Sequence, residues 1–333
     1  MTILRQITVG NKLKDYYELT KPKIWYLLVF TAFGAALTAS FLFNAPISLL
    51  TWMLLLGGVA AGSAAADTLT GYNDRDIDAI MERTKNRPIP SGRISPKNAL
   101  IFGLILAAIS LACAWFINIW AFGLMAFGLF DNILVYSKWL KRRSQSNIIL
   151  GGFSGGAPAL IGYIAVTTQN IEIGLVMAGL VFLWIPTHIW SLALHVKKDY
   201  TKAGVPMLPV VSSEKFSVRM IAGTTLMMVV FSVLPFFFNH FGMIYLVTAS
   251  VFGAVMIAFS LWLLIKPSEK ASWTVFKFSS PYLTALFIAF MVDAFSSNFS
   301  YSYNILAITT CASNPIVLIE YVGPRDLVMF SEK

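Results

Sequence analysis

An all-α polytopic membrane protein with nine spanning helices is the fold class this sequence predicts, and three observations carry it. Of the 333 residues, 57% are hydrophobic and 12% charged, with a mean hydropathy of +0.71, a balance that excludes an ordinary soluble domain. The chain also divides into apolar runs of the length a bilayer demands, about 20 residues each. Finally, its charge alternates from one connection to the next. Except for Arg325 and Lys333, all 25 Lys and Arg residues fall in or beside the N-terminal segment and the loops after the second, fourth, sixth and eighth runs.

The runs lie near 24–43, 47–72, 97–117, 119–137, 148–168, 171–195, 216–238, 241–265 and 278–297. The first follows a segment of mixed charge, with Arg5, Lys12, Lys14, Asp15 and Glu18. No early apolar core or small-residue cleavage site precedes it, so the first helix is expected to be the insertion signal itself. The connections at 44–46, near 118, at 169–170 and at 239–240 carry no basic residue. By the positive-inside rule the other side, with the N-terminus and the charged loops, is expected to be cytoplasmic, in a cell membrane. The formal net charge of +9 is then a topology signal and not a nucleic-acid footprint, and no nucleic-acid partner is expected. Cys113 in the third run and Cys311 near the end give neither a disulfide framework nor metal-ligand spacing. Residues 1–297 read as one membrane domain and 298–333 as a tail without an assigned role. The tail's apolar patch at 305–319 is broken by Asn314-Pro315 and is too irregular for a tenth span.

The densest chemistry follows the second run, from Asn73 to Pro88. Each carboxylate carried toward a bilayer core costs about 3 kcal/mol, so several at a helix end, followed at once by arginines, point to bound cations and a bound anion. At 100° per residue Asp67, Thr70, Asp74 and Asp78 form one stripe and Asp76 points away. Two carboxylates at i and i+4 suit Mg²⁺, which takes one or two carboxylates and completes its shell with phosphate oxygens and water. Arg83, Lys85, Arg87 and Arg93, interrupted by Pro88, Pro90 and Gly92, would fold across the mouth of the bundle and present bases to phosphate. The plainer alternative is a solvated helix end whose acids pair with Arg75, Arg83 and Lys85.

A second cluster, His195 to Pro209, echoes the first at the end of the sixth run and contains Lys198 and Asp199. Asp199 would complete a metal site begun by Asp74 and Asp78, or form a structural ion pair. His188 and His195, seven residues apart, share nearly one face of the sixth helix. A haem ligand, a proton carrier and a hydrogen bond between helices are all open readings there. His240, in a turn on the opposite side, reads as solvated. Asp131 and Asp293, inside the fourth and ninth runs, read as polar contacts within the bundle.

Along nearly the whole chain, to about residue 297, these residues resemble the intramembrane UbiA-type prenyltransferases, and within them the haem-farnesylating subgroup. Tyr17-Glu18-Leu19-Thr20-Lys21-Pro22 is similar to the segment before that family's first helix, and Asp74-Arg75-Asp76-Ile77-Asp78 through Arg83-Thr84-Lys85-Asn86-Arg87 to its first aspartate-rich motif. Tyr136 to Arg143, Asn147 to Gly152, Pro158, Gly162, the segment Pro186 to Trp190 and the segment Lys198 to Pro209 resemble the subgroup. Two positions depart from the pattern. Thr70 stands where the superfamily usually has Asn, with Asp67 one turn deeper, and His195 stands where relatives with other acceptors have a second aspartate.

The resemblance implies nine helices around a central cavity that opens laterally to lipid. It implies Mg²⁺ as cofactor, held by Asp74, Asp78 and Asp199 with Thr70 or Asp67, and a diphosphate bound by Arg83, Lys85, Arg87 and Lys198. The implied reaction joins the farnesyl group of farnesyl diphosphate to a vinyl group of haem B, with addition of water, and His188 or His195 would position the haem. The expected partners are these substrates, the lipid bilayer and a haem A synthase or terminal oxidase assembly downstream. A hydroxybenzoate, a quinone precursor or a glycerol-phosphate lipid is the alternative acceptor. A transporter is the more distant alternative, since transporters set their acids near the midplane on broken helices.

Overall fold

Helix-terminal residues explain where the chain turns. Ser48 accepts the Thr51 amide at 3.0 Å, Ser95 the Asn98 amide at 3.3 Å and Asn118 the Ala121 amide at 2.8 Å, each satisfying an amide that the first helical turn leaves unpaired. Pro22 and Pro96 open helices where no amide is needed. The computed structural model describes residues 9–237 and 240–311. In chain order its helices are α1 (Val9–Leu19), α2 (Pro22–Phe43), α3 (Leu49–Asn73), α4 (Arg75–Ile80), α5 (Pro96–Ile117), α6 (Ile119–Phe130), α7 (Asn147–Leu150), α8 (Phe153–Ile164), α9 (Ile171–His195), α10 (Lys197–Lys202), α11 (Leu208–Val211), α12 (Glu214–Phe237), α13 (Met243–Ile265) and α14 (Glu269–Cys311). Between α6 and α7 the backbone continues as a π-helix, Asp131–Leu140.

Among the described residues nine helices are long and apolar enough to cross a membrane. This is a multi-pass membrane protein. The spans pack in sequence around a ring that α14 closes by packing on both α2 and α9. The inner position belongs to α7–α8 and α9, of whose apolar windows 61% and 56% is buried, against 17% for α5. Small residues allow that depth, as they do wherever membrane helices approach closely. A Cβ on Gly156 would stand 2.7 Å from the Ala178 carbonyl oxygen, and one on Gly162 would overlap the Ala32 carbonyl oxygen.

Three helix limits differ from the sequence reading, one of them the end of α14, which runs past the expected 297 to Cys311. α14 begins at Glu269, nine residues before 278, because Glu269, Lys270 and Lys277 extend the helix beyond its apolar part. The fifth span ends at Ile164, whose carbonyl accepts the Asn118 side chain at 2.9 Å. Residues 312–333, most of the expected tail, lie outside the described residues, as do 1–8.

Asp293 has a structural task on the face away from the charged loops. Its Oδ2 accepts the amides of Gly242 at 2.6 Å and Tyr245 at 3.1 Å, so it caps α13 from a neighbouring helix. Asp293→Ala would leave two amides unpaired and is expected to cost about 2 kcal/mol. Thermal unfolding in detergent measures this, and an unchanged midpoint would contradict the assignment. His240 is not simply solvated: it is partly buried, burial lowers its pKa from the ordinary value, and its Nε2 lies 2.9 Å from Asn170 Nδ2.

Candidate active site

α3 stops at Asn73, and Asp74 leaves the helical region at φ −93°, ψ 2° before α4 resumes. The i to i+4 pattern survives the break: the Asp74 amide donates to the Thr70 carbonyl at 2.9 Å and the Asp78 amide to the Asp74 carbonyl at 2.8 Å. Asp74 and Asp78 therefore stay on one side, 3% and 2% exposed. Asp76 faces away, where the Arg142 guanidinium forks onto it at 2.7 and 2.6 Å. That pairing lowers the Asp76 pKa to about 2. The sign is that of a depressed carboxylate: the link is fully present above the ordinary carboxylate pKa and is lost only as pH falls through about 2.

Each acid of the stripe is met by a base. Arg87 Nη1 donates to Asp78 Oδ2 at 2.8 Å, and Lys141 Nζ donates to Asp74 Oδ2. Lys21 Nζ reaches Asp67 Oδ1 at 3.2 Å and Thr70 Oγ1 at 3.4 Å, while the Thr70 hydroxyl donates to the Asp67 carbonyl at 3.1 Å. One atom in this set is left over: Asp74 Oδ1 is buried without a hydrogen-bond partner. A buried carboxylate oxygen without a donor is costly and suits a cation. Asp74 and Asp78 thus offer the hard oxygen donors that Mg²⁺ takes, leaving room for phosphate and water to complete its shell.

The expected set of three aspartates does not assemble as one cluster. Among the described residues no three His, Cys, Asp or Glu side chains come together as potential metal ligands. Asp199, on α10, instead accepts the Arg83 backbone amide at 3.3 Å, which joins the two charged loops across the mouth. Arg83, Lys85 and Lys198 are exposed around that mouth, and Lys85 pairs with Glu82 at 2.5 Å.

His188 and His195 sit in a run of stacked rings along the seam of α9 and α14. From the charged end it reads His195, Trp273, Phe276, His188, Trp184, with neighbouring centroids 4.2 to 5.0 Å apart. His188 is covered on both faces and its Nδ1 lies 2.7 Å from Ser279 Oγ. Among the described residues His195 stacks on Trp273 alone, and its Nδ1 lies 3.1 Å from the Glu269 carbonyl. Below Asp67 a cleft runs between α2, α3, α6 and α8, with Ile24, Leu28, Val59 and Met125 in its wall and Asn132 and Ser154 as polar points.

Sequence reasoning missed Lys141 and Lys21. Lys141 follows a π-helix, where its amide donates to the Tyr136 carbonyl five residues back at 2.8 Å, so a 3.6-residue period cannot place it. Lys21 owes its inward reach to a left-handed backbone, φ 49°, ψ 62°, which no side-chain pattern announces.

Known proteins agree with this architecture. The model of the UbiA prenyltransferase family matches residues 27–304. Protoheme IX farnesyltransferase 2 of Cenarchaeum symbiosum is 56% identical over 299 residues, covering 85% of this chain and 96% of that protein. Protoheme IX farnesyltransferase of Desulforudis audaxviator is 45% identical over 281 residues, covering 84% and 88%. Among solved structures, one from work on digeranylgeranylglyceryl phosphate synthase in membranes superposes with a TM-score of 0.71 at 25% identity, covering 86% of this chain and 99% of that one. A UbiA homologue from Archaeoglobus fulgidus bound to GPP and Mg²⁺ gives 0.56 at 20% identity, covering 85% and 99%. With the match running from the first span through the last, and the same fold in its structural neighbours, this chain belongs to the UbiA prenyltransferase family.

Proposed function

We propose that this prenyltransferase transfers the farnesyl group of farnesyl diphosphate to a vinyl group of haem B, with addition of water, giving haem O and diphosphate. The observation that carries the reading is the buried pair Asp74 and Asp78, edged by Arg87 and Lys141, in a chain 56% identical to a protoheme IX farnesyltransferase. Mg²⁺ would be held by Asp74 and Asp78, with Thr70 one turn before them, and would neutralise charge on the departing diphosphate; Asp199, expected from the sequence as a third carboxylate ligand, rests on the Arg83 amide at the mouth instead.

The chain's own residues do the rest. Arg87 and Lys141 turn from the carboxylates to the phosphate oxygens, and Arg83, Lys85 and Lys198 add positive charge at the mouth. Donors fixed around a leaving group stabilise the charge that develops on it, the main electrostatic contribution to ionising an allylic C–O bond. The apolar cleft below Asp67 receives the prenyl chain and keeps water from the cation until the vinyl carbon has attacked. His195 is the better candidate to position the haem, because His188 is committed to Ser279 and covered on both faces. Unchanged haem binding by His195→Ala would refute that role.

By charge asymmetry the basic face is cytoplasmic, so diphosphate arrives from and returns to that side of the cell membrane. A haem A synthase or a terminal oxidase assembly is the expected consumer of the product. An acceptor panel tests the reading: labelled farnesyl diphosphate is offered with haem B, a hydroxybenzoate or a glycerol-phosphate lipid, with and without a chelator of Mg²⁺. Label should enter haem alone and only with metal. Transfer to another acceptor in its place would keep the prenyltransferase and discard haem.

A further inference from the structure

The loop between α4 and α5, residues 81–95, carries Arg83, Lys85 and Arg87; Met81 at its start belongs to the main core, but its second half packs elsewhere. Its Ile89 and Ile94 are buried in a small separate cluster with Leu19 and Ala99, beside Tyr16, Tyr72 and Phe102. Part of what covers the loop is therefore α1, a helix that is not among the spans.

Arg93 ties the two together. Its Nη1 donates to Glu18 at 2.8 Å and also to Asp15. Its Nη2 donates to Glu18 at 2.8 Å and to the Asn86 carbonyl at 2.7 Å, and its Nε to Ser91 Oγ at 3.1 Å. All five guanidinium N–H groups are thereby used, which fixes the plane of the fork as a lysine ammonium could not. The Asn86 carbonyl belongs to the peptide bond whose nitrogen is that of Arg87, the residue that reaches Asp78. Gly92 permits the reversal that brings Arg93 back onto Asn86. Its φ is +74°, and a Cβ there would touch nothing, so glycine serves the backbone angle alone.

Exposed ion pairs contribute little to stability, and Arg93 is 28% exposed. What this network can deliver is orientation. We propose that Arg93, gripped by Asp15 and Glu18 of α1, is a positioning residue that sets Arg87 for the prenyl diphosphate, so that α1 clamps the loop. The proposal rests on the reading of this loop as the diphosphate site, and it gives the segment before the first span a task.

The test is calorimetric titration of the full chain in nanodiscs with farnesyl diphosphate and Mg²⁺, no acceptor present, alongside steady-state kinetics. Arg93→Ala should weaken binding and raise KM by about tenfold while kcat stays within about twofold, as expected when preorganisation of a binding contact is lost. Arg93→Lys should recover only part. The double variant Asp15→Asn with Glu18→Gln should reproduce the loss, and adding Arg93→Ala to it should cost little more, because residues of one network are not additive. Thermal unfolding shows that each variant is folded, and any that is not is replaced by the single change Glu18→Gln. Unchanged binding by folded Arg93→Ala, fully additive losses, or a fall in kcat alone would each overturn the clamp. Absence of binding by the wild-type chain would instead remove the diphosphate reading, and the clamp with it.

Discussion

Asp74→Ala will lower prenyl transfer by roughly 10³-fold, the upper end of what one electrostatic contact at a reacting centre supplies. Asp74 is nearly inaccessible, one oxygen is held by Lys141, and the other has no partner. Alanine removes the oxygen best suited to a cation and strands the Lys141 ammonium, whose side chain is only 13% exposed. Breaking one side of a buried pair costs about 3 to 5 kcal/mol, so folding and chemistry must be separated. The double variant Asp74→Asn with Lys141→Met removes both charges together. It should regain much of the thermal stability lost in Asp74→Ala while remaining inactive in a labelled-diphosphate assay. Activity of Asp74→Ala within about tenfold of wild type would refute the role given to this carboxylate.

The largest effect on folding is expected at Gly162, far from the charged loops. A Cβ there would overlap the carbonyl oxygen of Ala32, so α2 and α8 could not keep their present separation. Backbone cannot yield as a flexible side chain can. Overpacking in a close-packed interior costs about 1 to 3 kcal/mol and more where backbone must move, so Gly162→Ala should fall at or above the top of that range. Gly57→Ala and Gly123→Ala provide the comparison, since a Cβ at either position would meet nothing. In helices they should be neutral or slightly stabilising. Thermal unfolding in one detergent measures all three, and a Gly162→Ala midpoint equal to that of Gly57→Ala would contradict the packing argument.

Much of the fold could be read from the sequence because a bilayer imposes one strong rule, an apolar run for each crossing. The runs that end in charged helix turns were the exception. Glu269, Lys270 and Lys277 belong to the last helix although hydropathy excludes them, since a helix continues past the apolar slab as long as its backbone bonds are made. Within the site, the shared face of Asp74 and Asp78 followed from their spacing of four. The break at Asp74 that turns α4 did not, because no Gly or Pro marks it.

The partners of the acids were harder to see. Lys141, Lys21 and Arg93 each reach an acid at least 46 residues away in the chain, so only tertiary geometry could name them. Asp199 is the reverse case. Its place at the charged mouth was legible, but its carboxylate rests on the Arg83 amide and stands apart from the other two aspartates. The ring stack along α9 and α14 was also hidden, because its members come from helices read separately.

The most direct measurement is mass spectrometry of the haem extracted after incubating membranes that contain this protein with haem B, farnesyl diphosphate and Mg²⁺. The expected result is a haem heavier than haem B by one farnesyl group and one hydroxyl, the second proton of the captured water being released, formed only with metal and lost in Asp74→Ala. Unchanged haem B from wild-type protein shown to be folded and to bind farnesyl diphosphate would contradict the proposed activity.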